Sequence, residues 1–80
     1  MIMYAIELEP GKFLSNSPGF NYTYTLEDAR LYLSESFAKR KLDTMGLLYL
    51  YPECCIIMVD EITTVDEEGI DDTRTVTRRN

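Results

Sequence analysis

Two kinds of residue in this 80-residue chain could do chemistry. The first is acidic. Glu53, Asp60, Glu61, Asp66, Glu67, Glu68, Asp71 and Asp72 follow one another with no Lys or Arg between Glu53 and Asp72. Pairs such as Asp60 with Glu61, or Glu67 with Glu68, have the residue types of acid/base catalysis. They are sequence neighbours, however, in a stretch with no sign of a pocket. A charged surface of one sign instead speeds encounter with the opposite sign. The segment therefore reads as a face for a basic partner, against the plainer reading of a solvated strand edge and turn. The stretch from Asp66 to Asp72 lacks the alternating ligands and terminal Glu of an EF-hand loop, which argues against calcium. The second kind is tyrosine, of which there are six. Tyr4 and Tyr32 suit a core, while Tyr22, Tyr24, Tyr49 and Tyr51 fall near loops or breaks. Tyrosine offers large contact area at low entropic cost and is enriched in binding hot spots. The candidate partner-binding residues are thus Asp60, Glu61, Asp66, Glu67, Glu68, Asp71 and Asp72 with Tyr22, Tyr24, Tyr49 and Tyr51.

Other chemistries are excluded by composition. The chain has no histidine, so Ser-His-Asp and Cys-His arrangements cannot be built within it. The two cysteines, Cys54 and Cys55, are adjacent; on a strand they face opposite ways and cannot share one ion. Adjacency also disfavours a disulfide, and the reading is two reduced thiols. Ser17-Pro18-Gly19-Phe20 lacks the further glycines and the Lys-Ser/Thr pair of a phosphate loop. No catalytic residue, metal site or cofactor is expected. A net charge of -6 repels phosphate, and Lys39-Arg40-Lys41 would spread around a helix as a solvated face, so direct nucleic-acid binding is not expected. No apolar run approaches the ~18 residues of a membrane span. Met1-Ile2-Met3-Tyr4 carries no leader pattern, so a cytoplasmic location is expected.

The elements that must position these residues follow from periodicity. Ile2 to Glu9 alternates, with Ile2, Tyr4, Ile6 and Leu8 on one face and Met3, Ala5, Glu7 and Glu9 on the other. Pro10-Gly11 supplies a turn and Lys12 to Ser15 returns, forming a β-hairpin. Asn16 to Asn21 has loop chemistry. Tyr22 to Tyr24 is extended, and Thr25-Leu26-Glu27-Asp28 has the form of a capping box. A short strand at Arg30 to Leu33 and a helix over about 35–45 come next. Ser34 caps that helix, Phe37, Ala38, Leu42 and Met45 face inward, and Gly46 stops it. A single kinked helix over 25–45 is the alternative. The strand over 54–62 is apolar on both faces, as in a central strand or one covered by a partner chain. Asp66 to Gly69 is a turn, with Thr73 to Thr77 pairing back on Ile62 to Val65; the last few residues are expected to fray. The fold class is α+β: one domain over 1–80, a small antiparallel sheet of three to five strands with one helix packed on it. A chain of this size buries only about 60–65% of its unfolded surface, which leaves little room for a deep cleft.

Certain short motifs carry a resemblance. They are Tyr4-Ala5-Ile6, Gly11-Lys12-Phe13-Leu14-Ser15, Leu26-Glu27-Asp28-Ala29-Arg30-Leu31-Tyr32, Ser34 to Ala38 and Pro52 to Val59. In this order they resemble very small accessory proteins of bacteriophages and prophages of Gram-positive bacteria, over about residues 4–60. The resemblance implies an accessory role, often binding and inhibiting a host protein, including inhibition of the anti-CRISPR type. It carries over no site residues. Two functions are therefore expected of the chain. It binds and blocks a host protein with a basic surface, possible targets being a nucleic-acid-handling or defence enzyme. Alternatively it is a self-associating module, a homodimer without a catalytic role.

Overall fold

The computed structural model describes residues 1–19, 21–65 and 72–79, with the backbone alone for 63–65 and 72–74. Six strands, β1 (Ile2–Glu9), β2 (Lys12–Leu14), β3 (Tyr22–Thr23), β4 (Leu31–Tyr32), β5 (Cys55–Val65) and β6 (Asp72–Arg78), form one antiparallel sheet. The strand order is β3-β2-β1-β5-β6, with β4 also paired to β1. Two helices, α1 (Glu35–Thr44) and α2 (Leu47–Leu50), lie between β4 and β5 in sequence. The α+β sheet with one main helix is the architecture that the periodicity of the chain implies.

β1 organises the sheet. One side of it pairs with β5 in a continuous register from Ile2 opposite Asp60 to Glu7 opposite Cys55. Its other side is shared, β2 taking Glu7 and Glu9 and β4 taking Tyr4 and Ala5. Pro10-Gly11 makes the tight turn between β1 and β2, with Gly11 at φ 81°, where a side chain would be strained. The segment after β3 is a 3₁₀ turn at Leu26–Asp28 followed by β4, so residues 25–45 do not form one kinked helix. The capping box does not form. Thr25 makes no side-chain bond to the turn's backbone; its hydroxyl donates to the Asp28 carboxylate at 2.8 Å.

Strand alternation places two cores on opposite faces of the sheet. On the helix side, Ile6, Leu8 and Leu14 pack with Ala38, Leu42, Leu47 and Cys54, flanked by half-buried Tyr4, Tyr32 and Met45. On the other side, Ala5, Phe13, Ile57, Val59 and Val76 are covered by the segment carrying Leu26 and Ala29. Both faces of β5 are thereby used in its first half.

The main helix starts at Ser34, whose Oγ accepts from the Phe37 N–H at 3.2 Å. It ends before Gly46, which sits in the left-handed region at φ 62°. Its inward arc is set by Ala38, Leu42 and Met45. Phe37 does not join them: it is 53% exposed and lies beside the Arg40 guanidinium, 5.9 Å from its ring centroid. At about 100° per residue, Phe37 is roughly 100° from Ala38, beyond the edge of the arc, whereas Lys41 is nearer and is half-buried. The apolar run after Gly46 forms α2, which buries Leu47 alone and leaves Leu48, Tyr49 and Leu50 exposed.

Candidate functional site

Lys12 lies at the centre of an aromatic cluster of Tyr22, Tyr24 and Tyr51. The tight β1–β2 turn places it at the start of β2, whose neighbour β3 carries Tyr22. Its Nζ lies 4.0 Å from the Tyr22 ring centroid and 4.9 Å from that of Tyr51, the residue that closes α2. Tyr24 meets Tyr22 edge-on, with centroids 5.7 Å apart and planes at 73°. An ammonium over aromatic faces is held by the ring quadrupole, and the edge-on pair is the favoured geometry for two rings. The Tyr51 hydroxyl beside it holds the Lys12 amine above its ordinary pKa; partial desolvation opposes this, and Tyr51 itself, Glu9 and Tyr24 assist through charge. The amine is therefore a fixed cation over the physiological range.

Next to this cluster runs a polar groove of about 450 Å³. Tyr22 and Thr23 form one part of its lining, Ser15, Asn16 and Ser17 another, and Glu27 with Asp28 supply acid. Ser15 and Ser17 hydroxyls are 3.2 Å apart, and the Ser17 N–H donates to Ser15 Oγ at 3.2 Å. The groove exists because Ser15 bridges Ala29 and the Asn16 N–H donates to the Asp28 carbonyl, which folds the loop back on the 3₁₀ turn. Beyond Tyr51, α2 projects Tyr49, which is 95% exposed, between Leu48 and Leu50.

The candidate residues fall into separate places. Tyr22, Tyr24 and Tyr51 come together, and Tyr49 lies on α2 just before Tyr51. Asp60 and Glu61 do not form a joint acidic patch, because neighbours on β5 face opposite ways. Asp60 accepts from Arg79 at 3.2 Å, and Glu61 uses its backbone to bind Met1 in both directions. Asp72 begins β6 opposite Val65. Asp66, Glu67, Glu68 and Asp71 lie outside the described residues, as does the turn at Asp66–Gly69. Lys12, Leu48 and Leu50 are the residues that sequence reasoning missed. The one available signal was the apolar run Leu47 to Tyr51 stopped by Pro52.

A second polar group is structural. Glu7 is buried on the face opposite α1. Its carboxylate accepts from Arg78 at 2.9 Å, from the Gly11 N–H at 3.3 Å and from the Cys55 thiol at 3.8 Å. Both thiols are free, Cys54 buried and Cys55 exposed. Although the Cys55 residue is exposed overall, partial desolvation of its sulfur beside Glu7, and then the Glu7 charge, push the thiol above its ordinary pKa, with Arg78 opposing. The thiolate is the nucleophile, so Cys55 is expected to react with iodoacetamide at pH 8 more slowly than in the unfolded chain. Glu7→Gln, which removes one of those causes, is expected to accelerate it; an unchanged rate would remove Glu7 as a cause.

Among the described residues, no group of three or more Cys, Asp or Glu is placed to hold a metal ion. No helix among them is long and apolar enough to cross a membrane. No protein-family model, curated protein or solved structure matches the chain.

Proposed function

We propose that the chain is a non-catalytic binding protein of the small phage-accessory kind. It docks on a host protein with a basic surface, such as a nucleic-acid-handling or CRISPR-type defence enzyme, and inhibits it in the host cytoplasm. The observation that carries this reading is the exposed aromatic surface: Tyr22 braced by Lys12 with Tyr24 edge-on to it, and Tyr49 projected with Leu48 and Leu50. Three neighbouring apolar side chains left in solvent by a chain with a thin core are the composition of a contact centre. Glu27 and Asp28 beside the tyrosines, and the net charge of -6, give it the sign that attracts a basic partner.

The test is an affinity capture from a Gram-positive bacterial lysate, followed by assay of the retained protein's own activity. Tyr49→Ala at so exposed a site leaves folding intact and is expected to weaken capture by at least about tenfold, the loss of one hot-spot side chain. Changing Glu67, Glu68, Asp71 and Asp72 to amides should slow association and flatten its salt dependence. A captured protein whose binding ignores both changes, or whose activity is untouched by the complex, would overturn the reading.

A further inference from the structure

The two ends of the sheet differ. One ends in β3, a strand of two residues, too short to template further pairing. The other ends in β6, seven residues long and hydrogen-bonded on one side only among the described residues. An edge of that length is a ready template for another strand unless its chemistry forbids pairing.

The direction of each β6 backbone group can be worked out. The Arg79 N–H donates to the Met58 carbonyl at 2.9 Å, which makes these opposed residues a hydrogen-bonded pair. Antiparallel ladders alternate. Thr77, Thr75 and Thr73 therefore bond inward, to Asp60, Ile62 and Thr64, and the N–H and C=O groups of Asp72, Arg74, Val76 and Arg78 point out from the edge. Any strand added antiparallel to β6 must bond to these four.

We propose that a second copy of this chain occupies the edge, β6 pairing antiparallel with its own copy about a two-fold axis at Thr75. Only registers that oppose outward-pointing residues are available to the two copies, and charge separates them. An axis at Arg74 sets Arg74 against itself, and one at Val76 sets Arg74 against Arg78; both oppose like charges, which destabilises a sheet. The axis at Thr75 sets Asp72 opposite Arg78 at each end and Arg74 opposite Val76. On the opposite face it aligns Thr73 with Thr77 and Thr75 with Thr75, β-branched pairs that favour a sheet. The strand is thus self-complementary in one register and self-repelling in the adjacent ones. The two-fold axis runs perpendicular to the sheet, so both α1 helices lie on one side of a continuous double-length sheet. Arg78 donates inward to Glu7 through Nη1, so its attraction for an opposed Asp72 acts through charge across the edge and not through a direct hydrogen bond. This dimer does not depend on the aromatic surface at Tyr22, Tyr24 and Tyr49, which lies outside β6; Asp72 is common to the edge and to the acidic segment, so the dimer is tested on the chain alone, with no host protein present.

Sedimentation equilibrium of the native chain is expected to give twice the 9.3 kDa protomer mass at sub-millimolar concentration. Asp72→Arg, which places two arginine pairs in opposition, should raise the dimer dissociation constant at least about tenfold. Arg74→Pro removes an outward N–H but no bond to β5, and it should give a monomer with unchanged circular dichroism. The register is read by crosslinking with diamide in a Cys55→Ser background. Thr75→Cys would stand opposite its own copy at a Cα separation of about 4.5 Å, within disulfide range. Thr73→Cys would be about 13 Å from its copy, four residues out of register, and should remain uncrosslinked. A native chain that stays monomeric overturns the proposal. So does a dimer indifferent to Asp72→Arg and Arg74→Pro, or one in which Thr73→Cys crosslinks as readily as Thr75→Cys.

Discussion

Ile6→Ala is expected to destabilise the protein by about 3–4 kcal/mol, measured as the shift in a urea unfolding curve followed by circular dichroism. Ile6 has no solvent exposure and stands opposite Ile56 on the strand that every part of the sheet touches directly or at one remove. It packs in one cluster with Leu8, Leu14, Leu42 and Leu47, so the removed methylenes leave a cavity bounded by β1, β2 and both helices. Those elements cannot close on it without losing strand register. A small domain has a total stability near the low end of about 5–15 kcal/mol, and the loss would leave a substantial unfolded fraction at 37 °C. Ile6→Val should cost only about 1 kcal/mol. Ile62→Ala, at a half-exposed position of similar chemistry, is expected to cost less than either. Equal costs for Ile6→Ala and Ile62→Ala would contradict the burial pattern.

The second large effect is expected at Arg78→Ala, about 2 kcal/mol. Glu7 is the buried partner, its side chain 9% exposed, and the Arg78 side chain is 49% exposed. The arginine is therefore partly hydrated and its own loss is modest. What weighs is the carboxylate left behind, with the Gly11 N–H and the Cys55 thiol as its remaining donors among the described residues. The double variant Glu7→Gln with Arg78→Ala should recover at least half of the cost, because no buried charge remains. A double-mutant cycle with no coupling would mean that the pair adds nothing beyond surface electrostatics.

The parts of the fold that could be read in the sequence are those where local chemistry and burial agree. The alternation of Ile2 to Glu9 is legible because Tyr4, Ile6 and Leu8 share the face that packs on the helix side. Ser34 and Gly46 bracket α1 because a hydroxyl and a left-handed glycine satisfy helix ends. Phe37 lies outside the inward arc, and apolarity alone does not say where an arc ends. The run Leu47 to Tyr51 was read as apolar and broken, but its helical turn depends on Leu47 finding a pocket between α1 and the sheet, a tertiary fact. The candidate site was legible in residue type and not in arrangement. Tyrosines near loops are visible in sequence. That Tyr22 and Tyr51 share one cation from β2, with Tyr24 edge-on to Tyr22, follows from the return of β3 onto β2 and of the chain after α2. Asp60 and Glu61, adjacent in sequence, are separated by the alternation of a strand.

The position of β1 has a kinetic consequence. Its neighbours come from residues 12–14, from 31–32 and from 55–60, so β1 stays unpaired on one side until a strand far along the chain is available. Closing it against β5 requires a loop of roughly fifty residues, and topologies dominated by such distant pairings fold in milliseconds to seconds rather than microseconds. During synthesis the opening hairpin must wait, half-paired, until β5 has left the ribosome. In that interval Ile6 and Leu8 are exposed on an unpaired edge, and the nascent chain is more open to chaperones and to aggregation than the finished domain.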